Sequence, residues 1–256
     1  MKFLALIQAR CGSTRLPSKV LKDLAGKTLL QRVVERVRKS RLVDEVLVIT
    51  SIDRRNLPLI QLCAQEGIRV FAGAEDDVLD RYYQCARLFS PEYVIRITAD
   101  CPLIDWRYID MAAEQLREDS DYIGQLTESF PDGLDVEIIK FSALKEAWEK
   151  APMHSDREHV TQYIRNRPEQ FALQNLTCPI PGIAGYRWTV DEEADYTLIR
   201  AIYEHFQREG RDEFVTEDVL AYLEANPQLK VLNSMYERNE GLKSALAHDC
   251  EMQHTV

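Results

Sequence analysis

The sequence predicts an α/β fold with a mostly parallel, doubly wound sheet at its centre. Short apolar segments typical of buried strands alternate with segments in which apolar residues recur at helical spacing. Around residues 122–140 this rhythm changes to shorter strand-like runs separated by Pro131-Asp132-Gly133, which predicts a small inserted antiparallel section. The length of 256 residues accommodates one main domain with such an insertion.

The predicted elements follow in a regular order from the N-terminus. Strands are expected at 3–7, 45–50, 69–71, 93–97 and 186–190, and helices at 29–37, 57–66, 78–88, 105–116 and 194–206. The pattern over 216–247 predicts two short helices around Pro227, and residues 247–256 contain few apolar side chains, which predicts a flexible tail. We therefore expect a single domain at 1–233 and a C-terminal helix with a tail at 234–256.

The composition excludes several classes of protein. A formal net charge of −10 repels nucleic acid, and no block of basic residues offsets it. The apolar run at 3–7 is too short to span a membrane and has no cleavage-type sequence after it. None of the six cysteines lies in a CxxC pair or at zinc-site spacing, which favours reduced thiols. We expect a cytoplasmic protein without nucleic-acid or membrane partners.

The loop after the first predicted strand carries the clearest chemical signal. Gly12 and Ser13 allow backbone N–H groups to turn towards an anion, and three cations, Arg10, Arg15 and Lys19, lie close by in the sequence. The GxxxxGK[ST] spacing is absent, which disfavours a P-loop ATPase. The pattern favours binding of a triphosphate; a solvated loop whose arginines cap nearby helices is the alternative.

Five segments, in order along the chain, together resemble the cytidylyltransferase family that makes CMP-activated acidic sugars, especially its SpsF-like spore coat polysaccharide branch. They are IQARCGSTRLPSKVL at 7–21, RITADCPLID at 96–105, GLDVE at 133–137, REHVT at 157–161, and WTVD at 188–191 followed by Asp195-Tyr196. The resemblance implies a three-layer Rossmann-like nucleotide-diphospho-sugar transferase fold. It also implies CTP as the nucleotide and Mg²⁺ as the cofactor.

The resemblance places the nucleotide site around the first loop. The implied nucleotide-binding residues are Gln8, Ala9, Arg10, Gly12, Ser13, Arg15, Lys19 and Thr98. Asp100 and Asp191, which each follow a predicted strand, are the implied metal ligands, and magnesium prefers such oxygen donors. Together with Arg10 and Lys19 they form the implied catalytic set. Without the resemblance, aspartates that cap the following helices explain both carboxylates.

The section 122–180 is implied to hold the acceptor substrate and to form a dimer interface. Asp135 and Glu137 are two residues apart in a strand-like run, so they point to one face and can accept hydrogen bonds from acceptor hydroxyls. An exposed strand face explains this spacing equally. Arg157 and His159 lie in the REHVT segment, which the resemblance places in the acceptor pocket. No proton-transfer role follows for His159.

The implied reaction is attack by a hydroxyl of a sugar-like or acidic acceptor on the α-phosphate of CTP, with release of pyrophosphate. The resemblance implies a homodimeric nucleotidyltransferase of surface polysaccharide or glycoconjugate biosynthesis. Two alternatives stay open at this point. One is a glycosyltransferase that consumes a nucleotide sugar, and the other is a non-catalytic nucleotide-binding protein.

Overall fold

The computed structural model describes residues 1–238 and 240–253, and these form a seven-stranded sheet between two layers of helices. The strands are β1 (Phe3–Gln8), β2 (Glu45–Ser51), β3 (Val70–Gly73), β4 (Tyr93–Thr98), β5 (Tyr122–Gly124), β6 (Glu137–Lys140) and β7 (Leu173–Asn175). Their order across the sheet is β3-β2-β1-β4-β6-β5-β7.

One of the described strands, β6, runs against the others. β1 pairs in parallel with both β2 and β4, whereas β6 is antiparallel to β4 and to β5. This confirms the mostly parallel sheet with an antiparallel section. From β1 the chain builds outward through β2 and β3, and then returns to place β4 on the other side of β1. In open α/β sheets, the carboxyl ends of the strands at such a reversal form the ligand crevice.

Helices cover both faces of this sheet. They are α1 (Leu29–Val37), α2 (Leu57–Gln65), α3 (Val78–Phe89), α4 (Trp106–Gln115), α5 (Phe141–Lys150), α6 (His154–His159), α7 (Gln162–Arg165), α8 (Glu193–Arg208), α9 (Thr216–Ala225), α10 (Pro227–Lys230) and α11 (Glu240–Gln253). Phe3, Ala5 and Ile7 of β1 pack in one apolar core with α1, α4 and α8, while Leu4 and Leu6 pack in the other with α3 and α5. The three-layer prediction is confirmed.

Local signals in the sequence explain where several helices begin. Thr28 and Gln31 form a capping box at the start of α1, so two backbone N–H groups find partners there. The Asp77 side chain accepts a hydrogen bond from the Asp80 N–H at the start of α3. Pro58 lies in the first turn of α2, where its missing N–H costs no helical bond.

The segment 186–190 is not a strand, which corrects one prediction. Trp188 and Val190 are completely buried, and this produced the strand-like apolar pattern. Within the described part of the chain, the segment makes one isolated bridge, between Arg187 and Asp132, and the Trp188 N–H donates to the Asp132 carbonyl at 2.6 Å. The turn at Gly133 leads the chain away after this pairing, so no ladder forms. The short elements β7, α6 and α7 gave no recognisable apolar period in the sequence.

The C-terminal part of the chain docks onto the domain. α9 and α10 are the two short helices predicted around Pro227. α11 continues past residue 247 to Gln253 and packs against α6, where the buried Asp249 carboxylate accepts a hydrogen bond from the Ser155 N–H at 3.2 Å. This docking differs from the flexible tail expected from residue 247. Residues 254–256 of that tail lie outside the described residues.

Five cysteines are buried in the folded chain. Cys11, Cys63, Cys85, Cys101 and Cys178 are free thiols, as predicted. Burial raises the pKa of Cys63 to about 11 and that of Cys85 to about 12, so both stay protonated and unreactive. None of the described helices has the length and apolar character needed to cross a bilayer.

Gly133→Ala is expected to destabilise the fold strongly. Gly133 has a φ of 103°, and an added Cβ would lie 2.6 Å from backbone atoms of Trp188 and Thr189. We expect the free energy of unfolding to fall by at least about 3 kcal/mol, because left-handed strain and a backbone clash add together. Urea denaturation measures this loss.

Gly182→Ala is the matched control for this substitution. Gly182 has a φ of 79°, but its added Cβ would meet nothing within 4 Å. We therefore expect only the left-handed strain, about 1 kcal/mol. Equal losses in the two variants would show that the close approach at residue 133 does not matter.

Candidate active site

Two adjoining cavities open at the edge of the sheet where β1 and β4 end. The smaller has a volume of about 250 Å³ and the larger about 370 Å³. Both are lined by Gln8 at the end of β1, Thr98 at the end of β4, and the carboxylates of Asp100 and Asp191. The shared residues make one continuous site at the point where the strand order reverses.

The smaller cavity is built mainly by the cationic loop that the sequence singled out. All eight predicted nucleotide-binding residues and both predicted metal ligands line it: Gln8, Ala9, Arg10, Gly12, Ser13, Arg15, Lys19, Thr98, Asp100 and Asp191. Three of these side chains are cations. Their concentration on one wall suits an anionic ligand such as a polyphosphate.

Hydrogen bonds hold this loop in place. The buried Asn56 side chain accepts a bond from the Cys11 N–H at 2.8 Å, and its amide donates to Ser51 Oγ at 2.6 Å. Ser18 has a left-handed φ of 53°, and its N–H donates to the Cys11 carbonyl at 3.1 Å. The closed turn places Lys19 at the start of a short 3-10 helix and in the wall of the cavity.

The Lys19 side chain lies between the two predicted metal ligands. Its Nζ atom is 3.0 Å from Asp100 Oδ2 and 2.7 Å from Asp191 Oδ1. Arg15 lies 3.3 Å from Asp191 Oδ1, and Arg187 lies 3.3 Å from Asp191 Oδ2. In sequence, Lys19 is 81 positions from Asp100 and 172 from Asp191, so the tertiary fold alone brings these charges together.

Opposite charges keep Lys19 and Asp100 ionised despite their burial. Burial raises the pKa of the Asp100 carboxyl. The Lys19 ammonium and the Thr98 hydroxyl lower it by more than burial raises it, so the pKa is about 2. Burial lowers the pKa of Lys19, whereas Asp100 and Asp191 together raise it above its ordinary value. At neutral pH the lysine and the Asp100 carboxylate are therefore both charged.

Bonds between their own loops fix the positions of the two carboxylates. The Val190 N–H donates to the Asp100 carbonyl at 2.8 Å. The Asp191 N–H donates to Asp195 Oδ2 at 3.0 Å, and the completely buried Asp195 also accepts bonds of 3.0 and 3.1 Å from Arg187. The position of Asp191 therefore depends on the first turn of α8.

The donor set at this point fits a magnesium ion. Asp100 and Asp191 supply hard oxygen ligands on either side of one cationic group, and magnesium is commonly held by one or two carboxylates together with substrate phosphates and water. Among the described residues, no group of three or more His, Cys, Asp and Glu side chains is arranged to hold a metal. A site with two protein ligands is the arrangement that fits. The ion itself stays a prediction.

The larger cavity lies on the β6 side of β4 and has mostly polar walls. Asp135, Glu137 and His159 line it, which are three of the four predicted acceptor residues. The lining also includes Arg96, Tyr122, Gln125, Asp132, Thr161, Gln162, Arg165 and Arg187. Walls rich in hydrogen-bonding groups suit a ligand with many hydroxyl groups.

Glu137 is the centre of a hydrogen-bonded cluster in this cavity. Its Oε1 atom accepts bonds from the Tyr122 hydroxyl at 2.6 Å and from Thr161 Oγ1 at 2.8 Å, and its Oε2 atom binds Arg96 Nη1 at 2.6 Å. Burial raises the pKa of Glu137, but Arg96 and Arg165 lower it below its ordinary value. Glu137 is therefore an ionised group that orients the side chains around it.

Neighbouring cations offset the charges of Asp132 and Asp135 less fully than that of Glu137. Burial and the neighbouring Asp135 raise the pKa of Asp132 to about 6, although Arg187 is only 2.9 Å away. Burial also raises the pKa of Asp135, against the lowering effect of Arg238. Perturbed carboxyls in a cleft are typical of functional sites, because a ligand that donates hydrogen bonds offsets their charge.

Arg157 does not line either cavity, which corrects its predicted place in the acceptor pocket. Its guanidinium binds Asp77 Oδ2 at 2.6 Å and the carbonyl oxygens of Trp148 and Ala151 at 3.1 and 3.2 Å. These bonds join α6 to α3 and α5. Residues two positions apart on a helix point in different directions, so His159 reaches the cavity while Arg157 packs behind it.

Sequence reasoning missed several charged residues of the larger cavity. Arg96 gave a usable signal, because a charged side chain inside the otherwise apolar β4 needs a buried partner. Asp132 directly precedes Gly133 in the turn that was noted only as a break between strands. Arg187 lies four residues before Asp191, but a single arginine beside a buried tryptophan gave no pattern to recognise.

Comparisons with known proteins show which proteins this chain resembles. Residues 4–241 match the family model for cytidylyltransferases. The chain is 35% identical over 238 residues to the spore coat polysaccharide biosynthesis protein SpsF of Bacillus subtilis, covering 88% of this chain and 95% of that protein. It is 38% identical over 114 residues to a 3-deoxy-manno-octulosonate cytidylyltransferase of Trichlorobacter lovleyi, covering 44% of each. A solved cytidylyltransferase structure from Leptospira borgpetersenii matches with a TM-score of 0.85 at 27% identity, covering 93% of this chain and all of that one.

The fold and these matches define a nucleotidyltransferase that uses CTP. The chain belongs to the cytidylyltransferase family, which confirms the resemblance drawn from the five segments. The two alternatives, a glycosyltransferase and a non-catalytic nucleotide-binding protein, are set aside because the model that matches residues 4–241 is that of cytidylyltransferases.

Asp132→Asn is expected to stabilise the protein at alkaline pH. The ordinary pKa of this carboxyl is 3.8, and in the folded chain it is about 6, so the folded state binds the proton more tightly. The group therefore lowers stability progressively as the pH rises from about 4 to about 6, and the full penalty applies above that range. Removing it should add about 1 to 3 kcal/mol at pH 8 and less at pH 5.

Urea denaturation at pH 5 and pH 8 checks this expectation. Asp212→Asn, which changes an exposed aspartate, is the control and should alter stability little at either pH. A loss of stability in Asp132→Asn at pH 8 would mean that the ion pair with Arg187 outweighs the burial of the carboxylate.

Proposed function

We propose that this enzyme transfers CMP from CTP to a hydroxyl of a sugar-like or acidic acceptor and releases pyrophosphate. The observation that supports this proposal most directly is the meeting of Lys19 with Asp100 and Asp191 where the two cavities join. One cavity offers cations to a triphosphate, and the other offers polar walls to an acceptor. The reacting atoms then meet beside the shared carboxylates.

In this proposal the cationic loop binds the part of CTP that leaves. Arg10, Arg15 and Lys19 neutralise the β- and γ-phosphates, and the backbone of Gly12 and Ser13 offers N–H groups to their oxygens. Positioning and neutralisation of charge supply most of the catalysis in reactions of this class. The loop is already held in shape by Asn56, so little reorganisation is needed when the nucleotide binds.

We propose Asp100 and Asp191 as ligands of the Mg²⁺ that accompanies CTP. When bound, this ion polarises the α-phosphate and lowers the pKa of a coordinated hydroxyl. The bond from Val190 to Asp100 and the bond from Asp191 to Asp195 hold both carboxylates at the junction of the cavities.

The larger cavity receives the acceptor in this proposal. Asp132 and Asp135 accept hydrogen bonds from its hydroxyl groups, and His159 contributes to the same wall. The Bacillus relative is a spore coat polysaccharide biosynthesis protein, and the Trichlorobacter relative is a 3-deoxy-manno-octulosonate cytidylyltransferase. These relatives support a sugar-like acceptor and a role in surface polysaccharide or glycoconjugate biosynthesis.

Asp100→Asn is expected to abolish turnover and leave the fold intact. The amide keeps the shape of the side chain but removes the charge that Lys19 and the proposed metal ion need, so pyrophosphate release should fall by at least about a hundredfold. The assay combines CTP with 3-deoxy-manno-octulosonate, neutral hexoses, hexosamines and hexose phosphates. The other three ribonucleoside triphosphates serve as a comparison.

Asp212→Asn is again the control, because it makes the same chemical change at an exposed position. It should keep the rate of the unsubstituted enzyme. Near-normal pyrophosphate release by Asp100→Asn with every acceptor would contradict the role assigned to this carboxylate. Absence of acceptor-dependent release by the unsubstituted enzyme would contradict the proposed reaction itself.

We also propose that the section 122–180 forms the interface of a homodimer. This section contains β7, which lies at one edge of the sheet, and an edge strand presents unpaired backbone groups to another chain. Light scattering is expected to give twice the 29.6 kDa of one chain. The mass of a single chain at micromolar concentration would contradict this proposal.

A further inference from the structure

The segment 231–238 follows α10 and runs along the larger cavity. It forms turns and bends, and Glu237 lines the cavity wall. From the sequence, most of this segment was expected to lie beyond the domain that ends at residue 233. In the folded chain it contacts two charged groups of the cavity, Arg187 and Asp135.

Three residues of the segment, Asn233, Tyr236 and Glu237, contact Arg187. The Asn233 side chain is only 3% exposed, and its Nδ2 atom donates to the Arg187 carbonyl at 2.9 Å and to Asp195 Oδ1 at 2.8 Å. Arg187 Nη1 donates to the Glu237 carbonyl at 3.2 Å, and its guanidinium lies 6.0 Å from the centre of the Tyr236 ring. Arg187 is thus held at both its backbone and its side chain.

On the other side, the segment holds Asp135 through Arg238. Arg238 Nη2 lies 2.8 Å from Asp135 Oδ1, and Nη1 donates to the Phe130 carbonyl at 2.8 Å. The Arg238 side chain is 16% exposed and the Asp135 side chain 40% exposed, so water reaches this ion pair mainly from the Asp135 side. Gln125 Nε2 donates to the same Oδ1 atom at 2.7 Å, and the two donors together fix the orientation of the carboxylate.

We infer that the segment 231–238 serves the acceptor site through two of its residues, with Arg238 positioning Asp135 and Asn233 positioning Arg187. Both are positioning residues, because each acts through a side chain that lines the cavity. The inference rests on the proposed function in one respect, namely that the larger cavity holds the acceptor. Held in this way, Asp135 faces the cavity as an acceptor for substrate hydroxyls.

The charges in the larger cavity also support a positioning role for Arg238. The Asp135 side chain is 40% exposed and lines the same cavity as Asp132 and Glu137, so without Arg238 three carboxylates would share the Arg96, Arg165 and Arg187 guanidiniums. Loss of the arginine would favour protonation of Asp135 or its movement out of the wall. Either change weakens hydrogen bonding to the acceptor and leaves the cationic wall of the smaller cavity as it is.

The test measures initial rates of pyrophosphate release by the full-length chain carrying Arg238→Gln or Arg238→Lys. The acceptor is the compound of the panel above that reacts fastest. For Arg238→Gln we expect the KM for the acceptor to rise about tenfold and the KM for CTP to stay within about twofold. Arg238→Lys should recover part of the loss, because it restores the charge without the second hydrogen bond.

A matched control comes from the same segment. Met235 is 73% exposed, and Met235→Ala should leave both KM values unchanged. Asn233→Ala is a second test of the inference through Arg187 and should also raise the KM for the acceptor. Because Asn233 also bonds Asp195, which fixes Asp191, this variant is expected to lower kcat as well. Thermal unfolding of each variant identifies those that do not fold, and the remaining substitutions then decide the outcome.

The possible results distinguish failure of this inference from failure of the proposed function. No rise in the KM for the acceptor in the folded variants, or a rise in Arg238→Gln that the KM for CTP matches, would overturn the inference and leave the proposed function standing. Failure of the unsubstituted enzyme to release pyrophosphate with any acceptor would overturn the proposed function, and the inference would fall with it.

Discussion

The candidate site depends on one ammonium group that two carboxylates share. Asp100 and Asp191 repel each other, and their partial burial strengthens that repulsion because less water screens it. Lys19 offsets both charges at once. A buried charge cluster adds little to the stability of a fold, so its value lies in holding charged groups in place for a ligand. Asn56 holds the loop that carries Lys19, and the first turn of α8 holds Asp191, so both elements support this contact.

Much of this arrangement can be predicted from the sequence. The strands near the site are buried on both faces, so they appear as unbroken apolar runs, and the polar residues that follow them mark the edge of the sheet. Asp100 and the loop that carries Lys19 were located in this way. The segment 186–190 shows where such reasoning stops, because a buried extended segment with one bridge has the same apolar pattern as a strand.

The larger cavity was harder to predict because its contacts join distant parts of the chain. Arg187 binds Asp132 from 55 positions away, and Arg238 binds Asp135 from 103 positions away. Such pairs follow no periodic spacing, so local patterns do not reveal them. Arg157 and His159 illustrate a second difficulty: they share one short motif, and only the orientation of α6 decides which of them reaches the cavity.

The reversed direction of β6 has an evolutionary consequence. Glu137 begins this strand opposite Arg96, near the end of β4, so the chain enters β6 at the same edge from which β4 leaves. The connection before β6 therefore opens onto the larger cavity, and Asp132 and Gly133 within it are fixed by their contacts with Arg187 and Trp188. Under the proposed function, a change of the acceptor that is bound and retention of the nucleotide chemistry become separable, because substitutions at the remaining positions of this connection leave the loop held by Asn56 in place.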